Sequence, residues 1–291
     1  MRGIISRFAP APTGFLHLGH VANAVHVWGE TRARGGRVLL RIEDHDRQRS
    51  RRPFEEAILE DLAWLGFEPD EPPVRQSERD DIYGQSLDRL RRQGLVYACD
   101  CSRADVAQAG PNVAQARIDV PRATPEWRYP GTCAHRGLAE GPGVGLRVRL
   151  DPSLERFVDL RLGPQEQRPS SQCGDLLVRD RDGHWTYQFA VTVDDDVQGV
   201  TLVVRGDDLL ASTGRQIQLA RLLGRNEPPA FLHHPLIMKS AAFAGGLGGP
   251  PQKLSKSDGD TGIRELRARG WTPEQVIAAA MAAIDTTKPT K

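Results

Sequence analysis

Lysine is nearly absent from this chain. Five occur among 291 residues (Lys239, Lys253, Lys256, Lys288 and Lys291) against 34 arginines, so positive charge is ordinarily carried by Arg and any Lys cluster is a departure from habit. Aromatic residues make up only 6% of the sequence. No run of about 18 apolar residues is present, which argues against a membrane-spanning helix, and residues 1–9 lack the apolar stretch of a secretory signal. A cytoplasmic protein with no membrane partner is expected. The net charge is only +1, so no global field favours a nucleic-acid partner. Such a contact would rest on local runs such as 47–52 or 89–92, each of which fits a solvated charged face equally well. Cysteine is limited to four residues, and in a reducing compartment these read as metal ligands or buried thiols rather than disulfides. The length and the 39% hydrophobic content suffice for one large core or two modest ones. There is no internal repeat.

Against this background two short signatures stand out, His17-Leu18-Gly19-His20 and Lys253-Leu254-Ser255-Lys256-Ser257. The second holds two of the five Lys residues. A Lys ammonium on a flexible stem can follow a moving phosphate, whereas Arg offers a rigid planar fork. The Gly-rich stretch 241–251 just before it suits a loop that opens and closes. At a strand-to-helix junction, His17 and His20 can aim imidazole N–H groups at phosphate oxygens. Gly19 would let the backbone approach a nucleotide, and the helix N-terminus adds positive potential. An isolated H-x-x-H is as readily a pair of surface or capping residues, and a basic Gly/Ser stretch as readily a solvated loop. It is their occurrence together in one open α/β chain that supports nucleotide chemistry.

The rest of the pattern supplies that chain. Residues 3–8 read as a strand entering a Pro/Gly turn at 9–14. The spacing of Val21, Ala24, Val25 and Trp28 predicts a helix over 19–34, stopped by Gly35-Gly36. A strand at 38–42 closes on Glu43-Asp44, as expected for a buried parallel strand with its site at the carboxyl end. Pro53 occupies the first position of a helix running to Leu65, with Gly66 as its stop, and another helix is expected over 78–92. Punctuation by Cys, Pro and Gly replaces periodicity over 97–145. Strands are expected at 148–162 and 175–179, with a hairpin turn at Asp182-Gly183, followed by a helix at 187–193, a strand at 200–204, an amphipathic helix at 209–223, a last strand at 234–238, and short helices at 263–269 and 273–283. The expected fold is α/β, a Rossmann-like doubly wound parallel sheet with an inserted subdomain and a short C-terminal helical segment. The expected divisions are 1–96 for the first half of the sheet, 97–145 for the insertion, 146–258 for the second half with the Lys loop, and 259–291 for the tail.

The two signatures, in this order, resemble the HIGH and KMSKS signatures of class I aminoacyl-tRNA synthetases, which activate an amino acid with ATP and Mg2+. The stretches RFAPAPTGFLHLGH at 7–20 and RIEDHDRQR at 41–49 are more specifically similar to the glutamyl-tRNA synthetase group, and the resemblance covers approximately residues 3–260. It implies that His17, His20, Lys253 and Lys256 are catalytic, and that His17, Gly19, His20, Lys256 and Ser257 bind ATP. It also implies that Arg7, Ala9, Ala11 and Glu43 bind L-glutamate. The downstream stretches WTYQFAVTVDDD and VVRGDDLL add Tyr187 and Arg205 to that pocket. The chemistry agrees, since an α-ammonium needs an anion such as Glu43 and two carboxylates need guanidinium forks. Simpler structural roles are also open: Arg7 could pair with Glu43 across strands, Tyr187 could be core, and Arg205 could pair with Asp207 or Asp208. Which Arg takes the side-chain carboxylate is not legible from the sequence.

Cys99-x-Cys101 and, after 27 intervening residues, Tyr129-x3-Cys133 offer three thiolates that with one further ligand would make a closed structural zinc site. On chemistry alone His135 is the natural fourth ligand, imidazole being a far commoner partner than phenol. Short glutamyl-synthetase-like proteins use a Tyr-x3-Cys arrangement, and the resemblance therefore implies Tyr129. Ordinary reduced thiols in a loop are the alternative. Cys173 lies apart, as a structural or exposed thiol.

A synthetase that charges tRNA-Glu carries an anticodon-reading domain after its KMSKS loop, and the stretch that follows Ser257 is too short to hold one. The expectation is therefore a relative of the short glutamyl-Q tRNA(Asp) synthetase family, in which glutamate is passed to queuosine at the wobble position of tRNA-Asp. A monomer is expected. The alternatives are a truncated glutamyl-tRNA synthetase core that charges tRNA-Glu, and a non-catalytic paralogue that binds glutamate or tRNA.

Overall fold

The computed structural model describes residues 3–109, 127–237 and 262–285. In chain order these form β1 (Ile5–Phe8), α1 (Leu18–Arg32), β2 (Arg37–Ile42), α2 (Arg52–Leu65), β3 (Val74–Arg75), α3 (Asp80–Arg92), β4 (Val96–Cys99), α4 (Arg103–Ala109), β5 (Gly145–Val148) and β6 (Glu155–Asp159). There follow β7 (Gly163–Gln167), α5 (Pro169–Gln172), β8 (Leu176–Arg179), α6 (Tyr187–Val197), β9 (Leu202–Gly206), α7 (Thr213–Leu222), β10 (Ala230–His234), α8 (Ile263–Ala268) and α9 (Pro273–Asp285). The chain divides into two compact units. The first comprises the described residues of 1–75, 201–209 and 231–291, and the second those of 76–200 and 210–230.

The first unit is built on parallel strands. β2 pairs in parallel with β1, from Ile5↔Arg37 to Phe8↔Leu40, and with β3 through Arg41↔Val74 and Ile42↔Arg75. β9 lies against β1, where the Thr201 N–H donates to the Ile5 carbonyl at 2.8 Å, and β10 neighbours β9. Five consecutive residues of β2 are buried, as a parallel strand covered on both faces requires. Val38, Leu40 and Ile42 join Phe8, Leu202, Val204 and Leu232 in one core with Val21, Val27 and Trp28 of α1, Ile58 and Leu62 of α2, and Val276 and Ala280 of α9. The stop of α2 is local: Gly66 adopts φ 78°, a left-handed conformation that costs glycine little.

The second unit contains an antiparallel sheet in the order β4-β5-β8 and a β6–β7 hairpin. Its core joins Tyr83, Leu87 and Leu90 of α3 to Val148, Leu176, Val178, Phe189, Ala190 and Leu219. Asp194 of α6 is fully buried in this unit. A buried carboxylate needs partners, and it accepts from Gln76 Nε2 (2.8 Å), Arg79 Nε (2.7 Å) and Tyr83 Oη (2.9 Å).

Several elements depart from the sequence expectation for legible reasons. The strand expected at 148–162 is two strands, because Pro152 cannot donate to a ladder and the Leu150 N–H instead meets the Asp175 carboxylate at 3.0 Å. The last strand lies at Ala230–His234 rather than 234–238, with Pro235 following it. The helix expected over 209–223 opens as a 3₁₀ segment, Asp207–Ser212, before α7. Gly183 turns the chain at φ 85° between Arg179 and Trp185, which form an antiparallel bridge. Residues 76–96 and 146–200 fall in the same unit as the described part of 97–145. No helix among the described residues is long and apolar enough to cross a membrane.

Candidate active site

The turn between β1 and α1 is assembled by local hydrogen bonds. His17 caps α1: its Nδ1 accepts the Gly19 N–H at 3.0 Å, while its own backbone N–H donates to His20 Nδ1 at 3.1 Å. The two rings sit 3.9 Å apart between centroids. A neutral imidazole whose Nδ1 accepts carries its proton on Nε2, so both rings are Nε2 donors. Capping and phosphate donation are thus compatible, since they use different nitrogens. Gly19 has a more immediate reason to be glycine than the approach of a nucleotide: a Cβ there would stand 2.9 Å from His17 Cε1.

The neighbouring loops are tied to this turn through the backbone. The Glu43 N–H donates to the Pro10 carbonyl and the Arg51 N–H to the Pro12 carbonyl, both at 3.0 Å. Ala9 and Ala11 lie half-buried on the same turn. At the other end of the turn, the Ile263 N–H donates to the Leu16 carbonyl at 3.1 Å and His17 forms an antiparallel bridge with Gly262. The first residues described after the Lys signature are therefore paired with the turn that carries the His signature. Lys253, Lys256 and Ser257 themselves lie outside the described residues.

Arg7, Glu43 and Arg205 are all buried in the first unit. Glu43 forms its ion pair with Arg41, at 3.2 Å from Nη2 to Oε1, and the Arg41 side chain is completely buried. Burial pushes the Glu43 carboxyl above its ordinary range, opposed by the charges of Arg41, His45 and Arg7. Arg7 Nη1 approaches the Val204 carbonyl at 3.5 Å. Arg205 donates from Nε to His233 Nε2 at 3.0 Å, with its guanidinium 5.7 Å from the centre of the Phe231 ring, within cation–π range. Tyr187 opens α6 in the second unit, half-buried. Arg41 and His233 escaped the sequence reading. Arg41 had left a signal, as a charge inside an otherwise apolar strand must find a buried partner.

The thiol cluster lies in the second unit. The Sγ atoms of Cys99, Cys101 and Cys133 are all within 4.8 Å of one another, none is in a disulfide, and Cys101 and Cys133 approach to 3.4 Å. Around a tetrahedral zinc with Zn–S near 2.3 Å, sulfurs stand roughly 3.8 Å apart, so these residues fit the ion. Tyr129 Oη lies 3.5 Å from Cys99 Sγ and accepts the Cys133 N–H at 2.8 Å. His135 is exposed and is not part of the cluster. Burial pushes the Cys99 thiol up, but hydrogen bonding with Tyr129 and Arg147 outweighs it and holds the thiol below its ordinary range. Burial and the two neighbouring sulfurs push Cys101 up to about 12, a value that a cation at the centre would lower. Arg147 places Nε 3.3 Å from Cys99 Sγ and its guanidinium 3.6 Å above the Tyr129 ring. Gly174, at φ 67°, passes so close that a Cβ would lie 2.1 Å from the Tyr129 carbonyl. Cys173 is buried and donates to the Pro169 carbonyl at 3.2 Å, a structural thiol.

The basic runs are largely engaged within the protein. Arg49 pairs with Asp46 and Arg52 with Glu56. Arg91 pairs with Asp88 and Glu140, and Arg89 donates to the Leu223 carbonyl.

Comparison with known proteins places these features in context. Residues 3–282 match the model of the catalytic domain of class I tRNA synthetases (E and Q). A glutamyl-Q tRNA(Asp) synthetase of Geobacter sulfurreducens is 40% identical over 96% of this chain and 88% of its own length. A glutamate–tRNA ligase of Oleidesulfovibrio alaskensis is 39% identical over 95% of this chain, which spans 56% of that protein. A solved glutamate tRNA ligase from Elizabethkingia meningosepticum, in complex with its amino acid, superposes with a TM-score of 0.70 at 30% identity, over 89% of this chain and 53% of that one. The chain thus spans about half the length of the glutamate–tRNA ligases it matches.

Proposed function

Because this chain belongs to the family of class I tRNA synthetases of the glutamate and glutamine group, we propose that it activates L-glutamate with ATP to glutamyl-adenylate. We further propose that it acts as a cytoplasmic monomer and transfers the glutamyl group to queuosine at the wobble position of tRNA-Asp. The observation that carries the activation step is a buried carboxylate, Glu43, backed by Arg41 and hydrogen-bonded through its backbone to the same turn that presents His17 and His20. The choice of acceptor rests on likeness to a relative named glutamyl-Q tRNA(Asp) synthetase over most of both chains.

In the first step a glutamate α-carboxylate oxygen attacks the α-phosphorus of ATP, and the bond to pyrophosphate breaks. Charge grows on the α-phosphate oxygens and on the leaving group. Donors already aimed there lower the barrier without reorganising, a role that falls to the Nε2–H groups of His17 and His20, with Lys253, Lys256 and Ser257 meeting the β- and γ-phosphates. Glu43 receives the α-ammonium, and Arg7 and Arg205 receive carboxylates, with Ala9, Ala11 and Tyr187 completing the pocket. Mg2+ carried on ATP supplies further charge. In the second step a hydroxyl of the queuosine ring attacks the adenylate carbonyl, AMP leaves, and an ester forms. Zinc, held by Cys99, Cys101, Cys133 and Tyr129, would supply structural cross-linking, since four protein ligands leave no position open for chemistry.

The deciding experiment offers labelled glutamate, ATP and Mg2+ with total tRNA from cells that make queuosine and from cells that cannot. Label only in the queuosine-containing pool is the expected result. Equal labelling of both pools would mean 3′ aminoacylation by a glutamate–tRNA ligase, and no labelling of either would mean a non-catalytic paralogue. Lys256→Ala should slow adenylate formation by about 10² to 10³ while leaving glutamate binding nearly unchanged, as for loss of one transition-state donor.

A further inference from the structure

We propose that His233 is a positioning residue that sets the specificity of the amino-acid pocket by fixing the edge from which Arg205 meets a substrate carboxylate; this rests on the glutamate-activation reading above. Three observations carry it. His233 is completely buried, so its ring nitrogens are not supplied by bulk water. Its Nε2 accepts the Nε–H of Arg205 at 3.0 Å, which requires the neutral ring with its proton on Nδ1. Phe231, two residues earlier on β10 and therefore on the same face of the strand, stacks near-parallel to His233 at 14° and lies under the Arg205 guanidinium.

The consequence is geometric. A guanidinium can grip a carboxylate in two bidentate ways, through Nε and one Nη, or through both Nη groups. With Nε–H committed to His233, only the end-on grip remains, and the carboxylate must lie along the axis of the Arg205 side chain. Phe231 adds a cation–π contact at 5.7 Å on one face of the guanidinium. Leu232, between them, points the other way into the core, so β10 uses one face for packing and the other to aim a charge.

The test is glutamate-dependent ATP–pyrophosphate exchange with His233→Gln, His233→Asn and His233→Leu. The Gln amide oxygen can occupy the place of Nε2, whereas the shorter Asn places its amide nearer Nδ1. KM for glutamate should stay within about threefold of wild type in His233→Gln and rise about tenfold or more in His233→Asn and His233→Leu, the size expected for a misplaced charge-assisted hydrogen bond. KM for ATP should be unchanged throughout. If His233→Leu does not fold, the contrast between the Gln and Asn variants still decides the matter. Equal glutamate KM values in those two variants, or parallel changes in the KM for glutamate and for ATP, would overturn the proposal and reduce His233 to packing. A wild-type protein that shows no glutamate-dependent exchange would instead overturn the glutamate reading, and this proposal with it.

Discussion

The histidine turn and the thiol cluster solve the same problem, holding several polar side chains in register, by opposite means. At the turn, the groups that orient His17 and His20 are the backbone N–H groups of Gly19 and His17 itself, all within one helical start. In the cluster, Cys99 and Cys101 face Tyr129 and Cys133 from about 30 residues away, and Arg147 reaches in from β5, the strand beside β4. The first arrangement needs little beyond its own helix. The second exists only when a sheet, a loop and a buried guanidinium have all assembled.

The largest expected effect separates the two at once. Cys133→Ala should abolish stoichiometric zinc binding and lower the melting temperature by about 10 °C or more, because metal affinity at such a site is folding free energy; metal analysis with scanning calorimetry would show it. His135→Ala should leave the metal content unchanged. A loss of zinc in that variant would mean that the wrong fourth ligand has been assigned. At the turn, His20→Ala should cut the rate of pyrophosphate exchange by about 10² to 10³, yet cost only about 1 kcal/mol of stability, as for a lost cap partner. A variant that unfolded would show the turn to be far less self-contained than its hydrogen bonds imply.

Two smaller tests sharpen the contrast within the first unit. Asp61 of α2 is fully buried, and neither of its oxygens has a hydrogen-bond partner among the described residues. Burial pushes its carboxyl up to about 6 against the opposing charges of Arg264 and Arg267. The folded state therefore holds the proton more tightly than the unfolded chain, and stability should fall as pH rises from about 4 to 6. Asp61→Asn removes the charge without changing the shape. It should stabilise by about 2 to 3 kcal/mol at pH 8 and by little at pH 4, measured by urea unfolding at the two pH values. Glu43, whose carboxyl is also pushed up by burial although it is paired with Arg41, should act in the same direction. The smallest effect compares two glycines of α1. Gly29→Ala, where an added Cβ meets nothing within 4 Å, should stabilise by about 0.5 to 1 kcal/mol. Gly19→Ala should instead push the His17 ring aside, slowing exchange about tenfold without that gain in stability.

Much of this was legible beforehand. The strand, helix and strand from Ile5 to Ile42, the Pro53 start and Gly66 stop of α2, and the position of α9 follow from periodicity and caps, because those signals are local. That His17 caps α1 through Nδ1, and not through the nitrogen proposed for phosphate donation, was not legible, since the sequence offers the two roles as alternatives. Nor was the split of the expected strand at 148–162, although Pro152 marks the place. His233 was missed for a related reason, as its partner Arg205 is a side chain whose identity depends on which strands become neighbours.

The sequence by itself determined the α/β alternation, the two signatures and the acidic end of β2, because each depends on residues within a turn or two of one another. Tertiary structure alone decided that Tyr129 and not His135 lies beside the three thiols, and that His233 takes the Nε–H of Arg205. Those outcomes turn on which side chains are excluded from water together. A buried charge or donor takes whatever partner the fold leaves within about 3 Å, and distance along the chain gives no measure of that.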